Sequence, residues 1–264
     1  MKRILFAVAA LLLAACQPKT AQPVELQTGD LLFTGLPMGY LPGAENNPAV
    51  DSVNCAGDSL NLIHVSILEV EPDTVWVIDA TLKRGVARYP LSDFLTDFTL
   101  SEGGLPWFIV ARLSSSAASA ASASADNVGR SATSTVSSGN PAGRTSAAFS
   151  SAPAAAPEAL ERYVARAREL CGQPYDVAFK TDNGALYCSE LVREAYVTTA
   201  GDTLFPEAPI DWRNAAGEVA PYWTWLFNLI GADLPSGSGT LPATLLASPQ
   251  LQILAAGPGI IWRP

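Results

Sequence analysis

Apolar residues come in short alternating or continuous blocks through the first half of the chain and recur at helical spacing in parts of the second. Gly29-Asp30 reads as a turn leading into a short apolar strand, Leu31-Leu32-Phe33. Residues 34–60, with Pro37, Gly39, Pro42, Gly43, Asn46, Asn47 and Pro48, read as loop. Strands are expected at Ile63 to Val70 and Thr74 to Ala80, with Glu71-Pro72-Asp73 as the hairpin turn between them. Gly85 to Arg88 predicts another strand, Leu91, Phe94, Leu95 and Phe98 fall at helical spacing, and Pro106 to Leu113 predicts a further strand. Glu158 to Leu170 predicts an amphipathic helix stopped by Gly172, and Cys188 to Ala200 a second stopped by Gly201. From Leu204 onward, repeated prolines predict loops around the aromatic run Tyr222-Trp223-Thr224-Trp225-Leu226-Phe227. Strands early and helices late make an α+β domain.

Residues 114–157 break this pattern, being rich in Ser and Ala with little that could fill a core. They are expected to form a disordered insertion inside the domain. A flexible chain of that length spans roughly 35–40 Å.

The N-terminus has the form of a targeting segment. Lys2 and Arg3 precede an apolar run, Ile4 to Leu13, too short to span a bilayer stably. Leu13-Ala14-Ala15-Cys16 then resembles the bacterial lipobox, in which the cysteine is acylated and becomes the new N-terminus. The expected organisation is a signal peptide at 1–15, a lipidated tether at 16–28 reaching at most roughly 40 Å, and a domain at 29–264. Gln17 follows Cys16, with no Asp there to suggest inner-membrane retention, so outer-membrane anchoring facing the periplasm is expected.

The balance of 16 Lys plus Arg against 25 Asp plus Glu gives a net charge of −9 and no basic patch, which argues against nucleic acid as a partner. Oligomeric state is left open. With Cys16 and Cys188 assigned, Cys55 and Cys171 are either bridged in an oxidising compartment or buried separately as thiols. A single histidine and no Cys-x-x-Cys spacing argue against a metal site, and no cofactor is expected.

Candidate chemistry centres on Cys188, in Tyr187-Cys188-Ser189-Glu190-Leu191-Val192 at the expected start of a helix. Amides and the dipole at a helix N-terminus favour a thiolate and can stabilise an oxyanion. A thiol mechanism near neutral pH needs an imidazole, and His64 is the only one in the chain. Asp79 lies on the other arm of the predicted hairpin. It can hold the ring if the two residues face each other or sit diagonally on one face, but not in the intermediate register.

The order Gly29-Asp30-Leu31-Leu32-Phe33, His64-Val65, Ile78-Asp79-Ala80, Gly172-Gln173-Pro174-Tyr175-Asp176 and Tyr187-Cys188-Ser189-Glu190-Leu191-Val192 resembles the permuted papain-like hydrolases. More narrowly, it resembles the YiiX/YebB-like branch related to NlpC-type cell-wall peptidases. The resemblance implies a small antiparallel sheet or barrel packed against helices. It also implies Cys188 as nucleophile, His64 as general base and acid, and Asp79 as the orienting residue. Tyr175, Tyr187 and Glu190 match family positions and are expected to shape the substrate site. Ser66 stands where the family often has Gly, and Asp79 where Glu is common.

The function expected from this pattern is an anchored cysteine peptidase or amidase that works through a thioester, with a small peptide or peptidoglycan fragment as substrate. Two alternatives stay open: a lipid-directed acyltransferase or thioesterase, and a catalytically inactive binding module.

Overall fold

The structure is a computed structural model of the chain and describes residues 23–37, 52–55, 58–100, 104–114, 157–213, 217–219, 221–258 and 262–263. The expected signal peptide, Cys16 with the first part of the tether, the interior of the Ser/Ala-rich insertion and the Cys55 side chain lie outside the described residues. In chain order the first elements are β1 (Val24–Glu25), β2 (Leu31–Pro37), β3 (Ser52–Cys55), β4 (Asp58–Glu71), β5 (Thr74–Thr81), β6 (Gly85–Pro90), α1 (Leu91–Asp97) and β7 (Trp107–Leu113). Then come α2 (Pro157–Glu169), α3 (Cys188–Ala195), β8 (Ala208–Pro209), α4 (Pro221–Ile230), β9 (Ser238–Gly239), α5 (Pro242–Leu246), β10 (Leu251–Pro258) and β11 (Trp262–Arg263).

The main sheet is antiparallel, in the order β10-β7-β2-β4-β5-β6, with β3 added alongside β4. Both of its faces are covered, which is why its strands read as nearly continuous apolar runs. Leu31, Phe33, Val65, Ile67 and Ile78 pack against α2 and α3, while Leu32, Leu68, Val77 and Phe108 pack with Leu91 and Phe94 of α1. The edge strand β6 is closed by the segment after α2, since Val86 N–H donates to Gln173 O at 2.8 Å and Gly172 N–H to Val86 O at 2.8 Å.

Gly85 makes this closure possible. Its φ is +68°, and a Cβ there would lie 2.5 Å from the Gln173 carbonyl oxygen. Gly85→Ala is therefore expected to lower stability by about 1–3 kcal/mol, read as a reduced urea midpoint; an unchanged midpoint would refute the constraint.

A bulge in β4 sets the phase of the site. Thr34 faces His64 and Gly35 faces Leu62, so Ile63 is the extra residue. Leu60 and Leu62 before it, and Val65 and Ile67 after it, all reach the face covered by α2 and α3. His64 alternates with Ser66 and Leu68 toward the α1 side, the face on which Asp79 also lies, while the bulge returns Leu62 and Leu60 to the opposite face.

Three sequence expectations need correction. The helix starting at Cys188 ends at Ala195 rather than Ala200, because Val197, Thr198 and Thr199 leave it for a turn in which Val197 pairs with Thr203. Gly201, at φ +95°, serves that turn. Residues 34–60 are not all loop, since β2 runs to Pro37 and β3 and the start of β4 fall inside that span. The C-terminal region is more than loops. Pro221 opens helix α4 through the aromatic run, at a position where its missing N–H costs nothing, and β10 joins the main sheet beside β7.

Candidate active site

Strand β4 pairs on one edge with β5 from Ile67–Ile78 outward and with β3 at residues 58–61. Among the described residues this leaves 62–66 without a ladder partner on that edge. The N-terminus of α3 docks at this notch, and Cys188 in its first turn is 6 % exposed. The sulfur hydrogen-bonds to the His64 ring and accepts the Val65 backbone N–H. A gap in the sheet thus lets the thiol on one face meet the imidazole borne by a strand of that sheet.

His64 Nε2 lies 2.8 Å from Asp79 Oδ2, which leaves Nδ1 for the sulfur. The register is the diagonal one, with Ile67 opposite Ile78 and Leu68 opposite Val77. The short Asp79 side chain reaches the ring in that register. Ser66 Oγ adds a longer bond to the same carboxylate oxygen at 3.4 Å, a donor that glycine at this position could not supply. Phe94 of α1 and Phe98 just after it cover the imidazole, with ring centroids 6.1 and 4.9 Å away.

The electrostatics favour a charge-separated pair. Burial pushes the imidazole pKa down, but the negative sulfur of Cys188 and the bond to Asp79 outweigh it and lift the ring to about 10. Burial pushes the Cys188 thiol up, but the His64 charge and hydrogen bond, with the Val65 N–H, bring it below its ordinary 9.0. Cys171, a second free thiol at the end of α2, behaves oppositely: burial raises it, and the charges of Arg88 and Arg168 only partly oppose this. One of these two free cysteines is therefore primed as a nucleophile and the other is held as a thiol.

The leading amides of α3 have no intrahelical partner by construction and point toward the sulfur's end of the helix, where an oxyanion would form. Glu190, at the third helical position, accepts the Tyr187 backbone N–H and so caps α3. Burial, partly opposed by that bond and reinforced by the charge of Asp176, pushes its carboxyl up to about 8. Near neutral pH it is largely uncharged and adds little repulsion to a thiolate two positions away.

A cavity of about 190 Å³ opens beside Cys188, walled by Ile63, Tyr175, Phe179, Trp223 and Leu226, with Leu82 at its rim. Of the three side chains expected to shape the substrate site, only Tyr175 lines this cavity. Tyr187 and Glu190 are buried behind it at 1 % and 2 % exposure. Tyr187 accepts the Thr240 N–H at 3.0 Å and packs against Phe179, so it holds the cavity wall from behind. Asp30 is also remote from the chemistry: its carboxylate accepts two bonds from Arg112, at 2.6 and 2.8 Å, and ties the turn before β2 to β7.

Sequence reasoning missed Tyr89, Phe94 and Phe98 around the dyad, while the aromatic run, one of the segments it offered as a wall of the cleft, does line the cavity through Trp223 and Leu226. Tyr89 was within reach of the same register argument used for Asp79, because Val77 pairs with Tyr89 and Asp79 with Ala87, putting Tyr89 diagonal to Asp79.

Residues 143–255 match the family of permuted papain-like amidase enzymes, the YaeF/YiiX or C92 family. The matched segment contains Tyr175, Tyr187, Cys188 and Glu190, whereas His64 and Asp79 come from strands before it. The crystal structure of YiiX from Escherichia coli O157:H7, described as a metalloprotein, aligns over 92 % of this chain and 99 % of that one, with a TM-score of 0.55 and 17 % identity. No curated protein matches the chain. Among the described residues no three His, Cys, Asp or Glu side chains converge as metal ligands, so these residues do not fit a metal site and no step below runs through one. By its fold the chain is similar to YiiX, and its segment 143–255, which carries Cys188, is similar to the permuted papain-like amidases of the YaeF/YiiX family.

Proposed function

We propose that the protein is a lipid-anchored, periplasm-facing cysteine hydrolase that cleaves amide bonds through a Cys188 thioester. The observation that carries this reading is the chain's single imidazole, held at 2.8 Å by Asp79 on one nitrogen and hydrogen-bonded to Cys188. The thiolate attacks the amide carbonyl carbon, and the leading amides of α3 receive the developing oxyanion. As the tetrahedral adduct collapses, His64 gives its proton to the departing nitrogen and the C–N bond breaks. Water then attacks the thioester while His64 takes its proton, the C–S bond breaks, and a carboxylic acid leaves. Asp79 keeps the ring oriented and stabilises its charged form. The anchor at Cys16 and the outer-membrane location rest on the charged, apolar and small-residue order of the N-terminus. A peptidoglycan stem peptide is a substrate that such a location would supply.

A specific observation favours the second reading, action on lipid-borne acyl groups. The cavity wall is mainly apolar, and Leu82, Trp225 and Leu229 are 71 %, 58 % and 66 % exposed. The test assays the purified full chain in parallel on muropeptides, N-acyl peptide amides and phospholipids. Amide turnover with no phospholipid turnover is the expected result. Phospholipid turnover alone would shift the assignment to lipid acyl transfer, and tight binding with no turnover would leave a binding module.

A further inference from the structure

We propose that Tyr89 is a positioning residue for the dyad, its hydroxyl pinning the Asp79 carboxylate against Nε2 of His64. The inference rests on the proposed role of Cys188 and His64. Two strong donors converge on one oxygen: His64 Nε2 at 2.8 Å and Tyr89 OH at 2.9 Å from Asp79 Oδ2. Among the described residues the other oxygen, Oδ1, is buried without a hydrogen-bond partner, so none of them fixes the carboxylate's rotation from that side. Without the tyrosine hydroxyl, only the 3.4 Å contact from Ser66 would supplement the imidazole among the described residues.

Tyr89 is itself braced. It is 5 % exposed on β6, the guanidinium of Arg84 sits 4.2 Å from its ring centroid, and Arg84 pairs with Asp97 of α1 at 2.7 Å. Helix α1 and its C-terminal cap also supply Phe94 and Phe98 against the imidazole. The β6–α1 segment therefore supports the dyad through Tyr89 and the two rings, while α3 brings the sulfur. Burial and the neighbouring Asp79 charge push the Tyr89 phenol far above its ordinary 10.0, so it stays a donor. The titratable and charged groups facing this cluster are Cys188 from α3, Asp79 from β5, Tyr89 from β6, Arg84 from the turn before it, and Asp97 from α1.

The test uses the fact that the chain has one histidine, so the ring signal of the full chain labelled with ¹³C-histidine needs no assignment. The wild-type ring is expected to lose its proton near pH 10. In Tyr89→Phe the looser carboxylate supports the imidazolium less, and the midpoint falls by about one pH unit. Arg84→Gln, which keeps the hydroxyl and loosens its ring, is expected to move the midpoint the same way by less. A merely structural tyrosine would lower the melting temperature and leave the midpoint in place. An unchanged or raised midpoint in Tyr89→Phe overturns the proposal while leaving the dyad intact. A wild-type midpoint near 6.5 that Cys188→Ala does not move overturns both, because it removes the thiolate–imidazolium pair itself.

Discussion

Cys188→Ala is expected to abolish amide hydrolysis, with kcat falling about 10⁶-fold, while the protein stays folded. The size follows from the chemistry, because no other described group can take over. The second free thiol, Cys171, is at the end of α2 and is held protonated by burial. The α3 amides can polarise a carbonyl but cannot form a bond to it, so only the binding and oxyanion part of catalysis survives. The same variant should change His64. The negative sulfur is the largest influence raising the ring, so its removal is expected to bring the imidazole midpoint well below 10. Retention of wild-type turnover by Cys188→Ala, or an unmoved imidazole, would exclude this cysteine as nucleophile. Peptide-resolved iodoacetamide labelling gives an independent reading: in the wild type at pH 7, Cys188 should react well before Cys171.

His64→Gln is expected to lower kcat by about 10²–10⁴-fold and to remove the fast labelling of Cys188 at neutral pH. The glutamine side chain carries no charge to offset burial, which pushes the thiol up. The pair also leaves a signature in stability. His64, raised from 6.5 to about 10, contributes stability that is complete below 6.5 and is lost as pH rises through 10. Cys188, lowered from 9.0, contributes stability that is complete above 9.0 and is lost as pH falls through its lowered value. Each contribution needs the other's charge, so the pair stabilises the fold most between about 6.5 and 9. Thermal melts of wild type and His64→Gln should therefore differ most in that window and converge above pH 10. Equal melting temperatures across the whole range would mean that the ionised pair is not part of the folded state.

Local signals carried much of this reading. Thr74 to Thr81 and Trp107–Leu113 alternate or run apolar in ways that specify buried strands, and Glu71-Pro72-Asp73 marks a hairpin whose register offers only a few choices. The helix over Pro157–Glu169 and the start of α3 at Cys188 were legible because helical spacing and glycine stops depend on neighbours within a turn or two. The scarcity of imidazole made His64 the necessary partner of any thiol chemistry, with no reference to shape. The family resemblance supplied the order of the site residues.

Other features depended on contacts between segments distant in sequence. The choice of the diagonal register, which brings Asp79 to His64, was made by closing the hairpin with only Pro72 and Asp73 between the paired Glu71 and Thr74. Composition cannot foretell that Tyr89 would share Asp79 Oδ2 with the imidazole, because the sharing needs two successive hairpins to twist onto one face. That Tyr187 and Glu190 lie behind the cavity wall was not legible, since a helix start says which residues are near the sulfur but not which way the chain folds over them. The aromatic run, set among prolines that read as loop, is helical because Pro221 opens α4, which packs Phe227 near Phe179. Periodicity reports the environment each residue needs. Which distant residue supplies that environment is set by packing, where tens of side chains must fit at once.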